Sequence, residues 1–121
     1  FHKAGIKVSL FIEPDERQIL AGKDTGAEFI ELHTGRYADA KTEEDVATEL
    51  EKISKATVYA ISIGMRVNAG HGLDYHNTAP ICKIKGIEEL NIGYSIIGRA
   101  VFTGLERAVK EMLEIIKRES H

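Results

Sequence analysis

Apolar residues recur along this chain in two alternating rhythms. Short β-branched runs read as strands, and the segments between them carry helical spacing. Residues 6–12 (Ile-Lys-Val-Ser-Leu-Phe-Ile) read as a buried strand. Glu13-Pro14-Asp15 breaks it and starts a helix, because proline and acids suit a helix N-terminus. That helix runs through Ile19, Leu20 and Ala21 to a stop at Gly26. Residues 27–33 form the second strand and 34–41 its loop. Thr42 then caps a long helix whose first turn holds Glu43, Glu44 and Asp45. Its apolar face is Val46, Leu50 and Ile53, and it reaches about Gly64 with a break near Thr57. The third strand covers 66–69, with a loop over 70–77 and a short helix over 78–83. The fourth strand covers 89–93, and 95–102 holds an apolar helix or turn. A last helix over 104–119 lines up Leu105, Val109, Met112 and Ile116 on one face.

Strands alternating with helices predict an α/β fold with a parallel sheet and right-handed crossovers. Four such units make either an open doubly wound sheet or half of an eight-stranded barrel. The glycine cluster at 70–72 lacks the G-x-G-x-x-G spacing of a dinucleotide site. No internal repeat and no low-complexity segment stands out. Residues 1–5 read as the end of a helix with Gly5 as its stop, so residues are expected to precede them. A half barrel accounts for that abrupt start.

Composition narrows the classes of partner. The 121 residues suffice for one domain, with 43% apolar and 29% charged residues typical of a soluble chain. Net charge is −3 and Lys and Arg form no cluster, which argues against nucleic acid as the main partner. Apolar runs fall far short of a membrane span. Cys82 is the single cysteine, so no internal disulfide forms and a reducing cytoplasm is the expected location. In its apolar run Cys82 reads as a packing residue rather than a nucleophile.

In parallel α/β folds, function gathers at the C-terminal ends of the strands. On the second strand Phe29, Glu31 and His33 share one face, while Ile30 and Leu32 take the other. With the apolar face against helices, Glu31 points into the barrel near its open end. A carboxylate there needs a cation, a donor or a substrate. Structurally, Arg66 or Lys7 of neighbouring strands could supply the partner. His71 follows the third strand between Gly70 and Gly72, where an imidazole can donate and accept protons near neutral pH. It could equally cap a backbone carbonyl. His33, ending the second strand before the Thr34-Gly35 turn, could orient a ligand or hydrogen-bond the loop, the second being the favoured reading; His76 reads as a solvated or capping residue. Metal binding by Glu31, His33, His71 and His76 is disfavoured, since no tight His pair appears.

Phosphate has better-placed candidates. In barrels that bind it, the loops after the seventh and eighth strands and a short extra helix offer backbone N–H groups. Gly70-His71-Gly72 and Gly93-Tyr94, followed by Ser95-Ile96-Ile97-Gly98, occupy those places. Arg99 could add charge or serve a surface ion pair.

Four stretches together resemble the pyridoxine 5'-phosphate synthase family. They are Val8-Ser9-Leu10-Phe11-Ile12; Phe29-Ile30-Glu31-Leu32-His33-Thr34-Gly35 with Tyr37-Ala38-Asp39-Ala40-Lys41-Thr42; Val67-Asn68-Ala69-Gly70-His71-Gly72-Leu73 with Tyr75-His76-Asn77; and Glu89-Leu90-Asn91-Ile92-Gly93 with Ile96-Ile97-Gly98-Arg99-Ala100. They span nearly the whole chain in family order.

The resemblance implies that residues 1–121 are the C-terminal half, strands five to eight, of a single TIM-barrel domain whose N-terminal half is absent from this sequence. It implies a transferase-class, cofactor-free ring closure in vitamin B6 biosynthesis. 1-Deoxy-D-xylulose 5-phosphate and 3-amino-2-oxopropyl phosphate condense to pyridoxine 5'-phosphate, inorganic phosphate and water. By matching position, His71 resembles the family's proton donor and Glu31 its transition-state-stabilising carboxylate. Gly72, Gly93 and Tyr94 resemble the binding positions for the amino-ketone phosphate.

Tyr94 stands where the family commonly has histidine, a change that backbone N–H contacts would survive. The family's N-terminal Asn-x-Asp-His motif, second histidine, further glutamate and arginines have no counterpart here. The chain alone is therefore expected to be inactive, with uncovered strand edges. Family precedent points to an octamer. Two other readings stay open: another phosphosugar isomerase or aldolase barrel, and a non-catalytic phosphate-binding half-barrel. A Schiff-base aldolase would need a lysine inside the barrel, and Lys7 lies too early on its strand.

Overall fold

Each β-branched run becomes a strand. The computed structural model describes residues 1–120 and contains β1 (Ser9–Ile12), β2 (Phe29–His33), β3 (Arg66–Gly70) and β4 (Ile87–Asn91). They form one sheet in the order β1-β2-β3-β4, and every neighbouring pair is parallel. Between and after them lie α1 (Glu16–Asp24), α2 (Gly35–Asp39), α3 (Glu43–Ser62), α4 (Thr78–Cys82), α5 (Tyr94–Thr103) and α6 (Leu105–Glu119). The sheet is open. β1 and β4 each pair on one side only, an α/β arrangement consistent with half of a (βα)8 barrel.

Capping follows the sequence chemistry. The Asp15 carboxylate accepts the Arg17 N–H at 2.7 Å, and the Thr42 hydroxyl accepts the Asp45 N–H at 3.1 Å. Gly5 ends a short 3-10 turn (His2–Ala4) with φ 73°.

Ile30, Leu32, Val67 and Ala69 are fully buried against Ile19 of α1 and Ile53 of α3. The alternate residues of β1 and β2 face the other way, and there Phe11 remains 54% exposed. A parallel sheet normally has both faces covered, and this face stays open among the described residues.

The structure corrects the sequence reading at several points. β1 starts at Ser9 rather than residue 6, because the Val8 N–H bonds the Glu28 carboxylate at 2.9 Å. Residues 34–41 contain α2 rather than a plain loop, held by the buried Tyr37 ring. α3 runs unbroken past Thr57, whose hydroxyl donates to the Ile53 carbonyl at 2.8 Å inside the core. β4 lies earlier, at 87–91, with a register irregularity against β3 between Val67 and Ala69, and this frees Gly93 to start α5. On α6 the buried positions are Ala108 and Met112, while Leu105 and Val109 are 58% and 38% exposed. The apolar stripe of α6 is wider than the surface that α4 and α5 offer it.

Candidate active site

The C-terminal strand ends bring the candidate residues into one cleft of about 760 Å³. Its wall includes Glu31 from β2, His71 and Gly72 after β3, Asn91 ending β4, and Gly93 and Tyr94 opening α5. Residues distant in sequence converge because parallel strands of similar length end on one edge. Glu31 pairs in register with Phe11 and Asn68, and His33 with Gly70, which pairs with Asn91.

Glu31 has neither of its expected partners. Arg66 forms a two-pronged bond to Glu88, at 2.8 and 2.6 Å, which holds the Glu88 carboxyl below its ordinary range. Lys7 sits over the Phe29 ring at 5.9 Å. The Glu31 carboxylate instead accepts one bond from the Asn91 side-chain amide at 2.9 Å. Gly70 makes room for it. A Cβ at Gly70 would lie 2.5 Å from Glu31 Oε1 and 2.9 Å from the Asn91 carbonyl. Gly70→Ala is therefore expected to break the Glu31–Asn91 contact and to cost about 1–3 kcal/mol of stability. Urea unfolding measures this, and an unchanged midpoint would show that the strand ends yield instead.

His71 has φ 88°, the one left-handed non-glycine residue among those described. That conformation costs about 1–3 kcal/mol and persists only where the surroundings enforce it. Here the buried Thr34 hydroxyl donates to the His71 carbonyl at 2.6 Å, and the Thr34 N–H bonds the Gly70 carbonyl at 2.9 Å. The expectation that His71 caps a carbonyl is not met; its own carbonyl is the one held. Gly72 follows at φ 76°, where a Cβ would come within 2.7 Å of Ala38. The backbone thus turns twice in succession and presents the imidazole at the cleft.

Gly93 caps α5 with open space around its Cα, and the first N–H groups of α5 have no partner within the helix. These donors and the helix dipole favour an anion at this rim. Tyr94 is 96% exposed beside them. Arg99 lines the same wall but is engaged, bonding Glu111 and lying 4.5 Å above the Tyr75 ring. Hydrogen bonds from Arg107 and Arg99 hold the Glu111 carboxyl below its ordinary range.

The loop after β3 is built from its own polar groups. Asp74 accepts the His76 and Asn77 N–H groups, and Asn77 accepts the Asp74 N–H. The Tyr37 phenol donates to the Asn77 carbonyl at 2.6 Å, and burial followed by the Asp74 charge pushes its pKa up. Tyr75 donates to the Ala108 carbonyl at 2.7 Å and Ser95 to the Leu73 carbonyl at 2.8 Å. His76 is exposed and lies outside the cleft wall. Cys82 also lies outside it, half-buried, with its thiol pushed up by burial. No three His, Cys, Asp or Glu side chains converge on a metal-holding group among the described residues. None of the described helices is long and apolar enough to cross a membrane.

Sequence reasoning missed Asn91 and Asn68. Asn68 lies beside Glu31 in register, 7% exposed, with its Oδ1 buried and unpartnered. Polar residues spaced like Glu31 on their own strands were the available signal.

Residues 1–118 match the family model described as pyridoxal phosphate biosynthesis protein PdxJ. A pyridoxine 5'-phosphate synthase from Synechococcus sp. (strain JA-2-3B'a(2-13)) is 56% identical over 109 residues, which is 90% of this chain and 46% of that protein. The chain thus spans about half the length of this curated relative. With the match running over nearly every strand and helix described above, the chain belongs to the PdxJ family of pyridoxal phosphate biosynthesis proteins.

Proposed function

We propose that this chain is the C-terminal half of a pyridoxine 5'-phosphate synthase barrel. It would join 1-deoxy-D-xylulose 5-phosphate to 3-amino-2-oxopropyl phosphate and release pyridoxine 5'-phosphate, phosphate and water. The observation that carries this reading is the meeting of Glu31, His71 and the Gly72 and Gly93 turns in a single cleft at the strand ends.

Each residue has a task suited to its surroundings. The amino-ketone phosphate is held at the start of α5, where the Tyr94 and neighbouring N–H groups meet its phosphate oxygens. Backbone donors perform this step, so tyrosine in place of histidine at position 94 leaves it intact. Imine formation and dehydration create positive charge on nitrogen and expel hydroxyl groups. Glu31, with one donor and no paired cation, is placed to stabilise that charge. His71 gives a proton to a departing hydroxyl. No metal and no organic cofactor enters this scheme.

The pentulose phosphate and the remaining acid–base groups fall to the other half of the barrel, which would also cover the concave face around Phe11 and the β1 and β4 edges. Assembly into a homo-oligomer in the cytoplasm belongs to the same reading. The 121-residue chain by itself is expected to show no turnover, and product from the isolated chain would refute that expectation.

The test joins this chain to the N-terminal half of the Synechococcus relative and supplies both substrates. Pyridoxine 5'-phosphate, identified by mass and absorbance, supports the reading. A folded chimera that binds the amino-ketone phosphate but forms no product would favour a phosphate-binding role instead.

A further inference from the structure

The His33 ring is stacked on the His71 ring, with centroids 4.6 Å apart and planes 26° apart. Phe11 packs against His33 as well, with ring centroids 4.8 Å apart and planes tilted by 47°. The Gly35 N–H donates to His33 Nδ1 at 3.1 Å, so Nδ1 is an acceptor and the ring proton sits on Nε2. Gly35 is required by this packing. A Cβ there would overlap the His33 ring and approach the His71 ring at 3.1 Å. Three consecutive residues running from the end of β2 to the start of α2 therefore form a seat for one imidazole: Gly35 pins His33, His33 faces His71, and Thr34 ties the His71 carbonyl.

From this seat we infer that His33 is a positioning residue for His71, setting the plane in which that imidazole meets a bound molecule. The inference rests on the synthase reading for its catalytic consequence, and on geometry alone for the stack. His71 is exposed and flanked by glycines, so its backbone turn does not fix its ring. A proton donor works only when its nitrogen lies within hydrogen-bond reach of the accepting atom, and a displacement near 1 Å costs on the order of a hundredfold in rate. Stacking supplies that control without consuming either nitrogen of His71. Glu13, whose carboxylate lies 3.7 Å from His33 Nδ1, stands ready on the β1 side and is not the bonded partner in this arrangement.

Two substitutions at position 33 separate the ring from its nitrogen, tested in the chimera described above. His33→Phe keeps a stacking ring and loses the Nδ1 acceptor; His33→Ala loses both. His33→Ala is expected to lower kcat by about ten- to a hundredfold with KM within about threefold, and His33→Phe to restore most of the loss. An unchanged kcat in His33→Ala overturns the inference. So does a His33→Phe protein that folds yet is as slow as His33→Ala, since His33 would then act through its own proton.

Nitrogen-15 and ring-proton NMR of the histidines reads the stack without turnover. Native and His33→Phe proteins should show upfield ring-current shifts at His71 that His33→Ala lacks, with an unprotonated Nδ1 at His33. Absence of the shift from the native protein rejects the stack whatever the activity. If the shift is present and no variant or native protein forms product, the synthase reading falls and the positioning of His71 stands.

Discussion

Replacing His71 with asparagine is expected to lower kcat for pyridoxine 5'-phosphate formation by about 10²–10⁴-fold while leaving the fold intact. Asparagine is chosen for the backbone. At φ 88° most side chains are strained, but asparagine tolerates left-handed geometry. His71→Asn thus removes the titrating imidazole and keeps the turn that Thr34 and Gly72 define. Alanine at the same position would mix chemical loss with backbone strain. The check is steady-state kinetics of the joined protein beside a urea midpoint. A kcat loss under tenfold at an unchanged midpoint would remove His71 from the proton-donor role.

Glu31→Gln is expected to lower kcat by about 10²–10³-fold, with KM little changed. Glutamine keeps the volume and an oxygen that accepts from Asn91, so only the negative charge is lost. A group that acts on developing positive charge stabilises the transition state more than the bound substrate, and its removal falls on kcat. If KM rises and kcat holds, Glu31 is a substrate-binding residue instead. Glu31→Asp offers a contrast, because it keeps the charge and withdraws it from Asn91.

The strands and long helices were legible because their signals are local. The run around Val8 to Ile12, the Asp15 and Thr42 caps and the β2 alternation act over a few residues. The errors fell where tertiary contacts decide. α2 exists because Tyr37 finds a buried place and a bond to Asn77 across the loop. β4 begins at Ile87 because of its irregular register with β3, which no feature of Ile87 itself announces. At the site, Glu31 and His71 stood out by position at strand ends, and Gly72 and Gly93 by chemistry. Asn91 did not, since its value comes from lying opposite Gly70, which depends on register. His33 looked more like a loop-bonding residue than a ligand-orienting one, and its Nδ1 does accept a backbone N–H, that of Gly35 at the start of α2. Its face against His71 became visible only with both strand ends in place.

The loop after β3 has a consequence for how molecules reach the cleft. Tyr37 and Tyr75 hold it to two helices, and Ser95 ties its start to α5. Detaching it would break all three bonds and expose the half-buried Tyr75 ring beneath Arg99. It is a wall and not a door. The exposed Phe11 and Tyr94 line the same cleft, so a molecule entering it meets these two rings rather than a displaced loop.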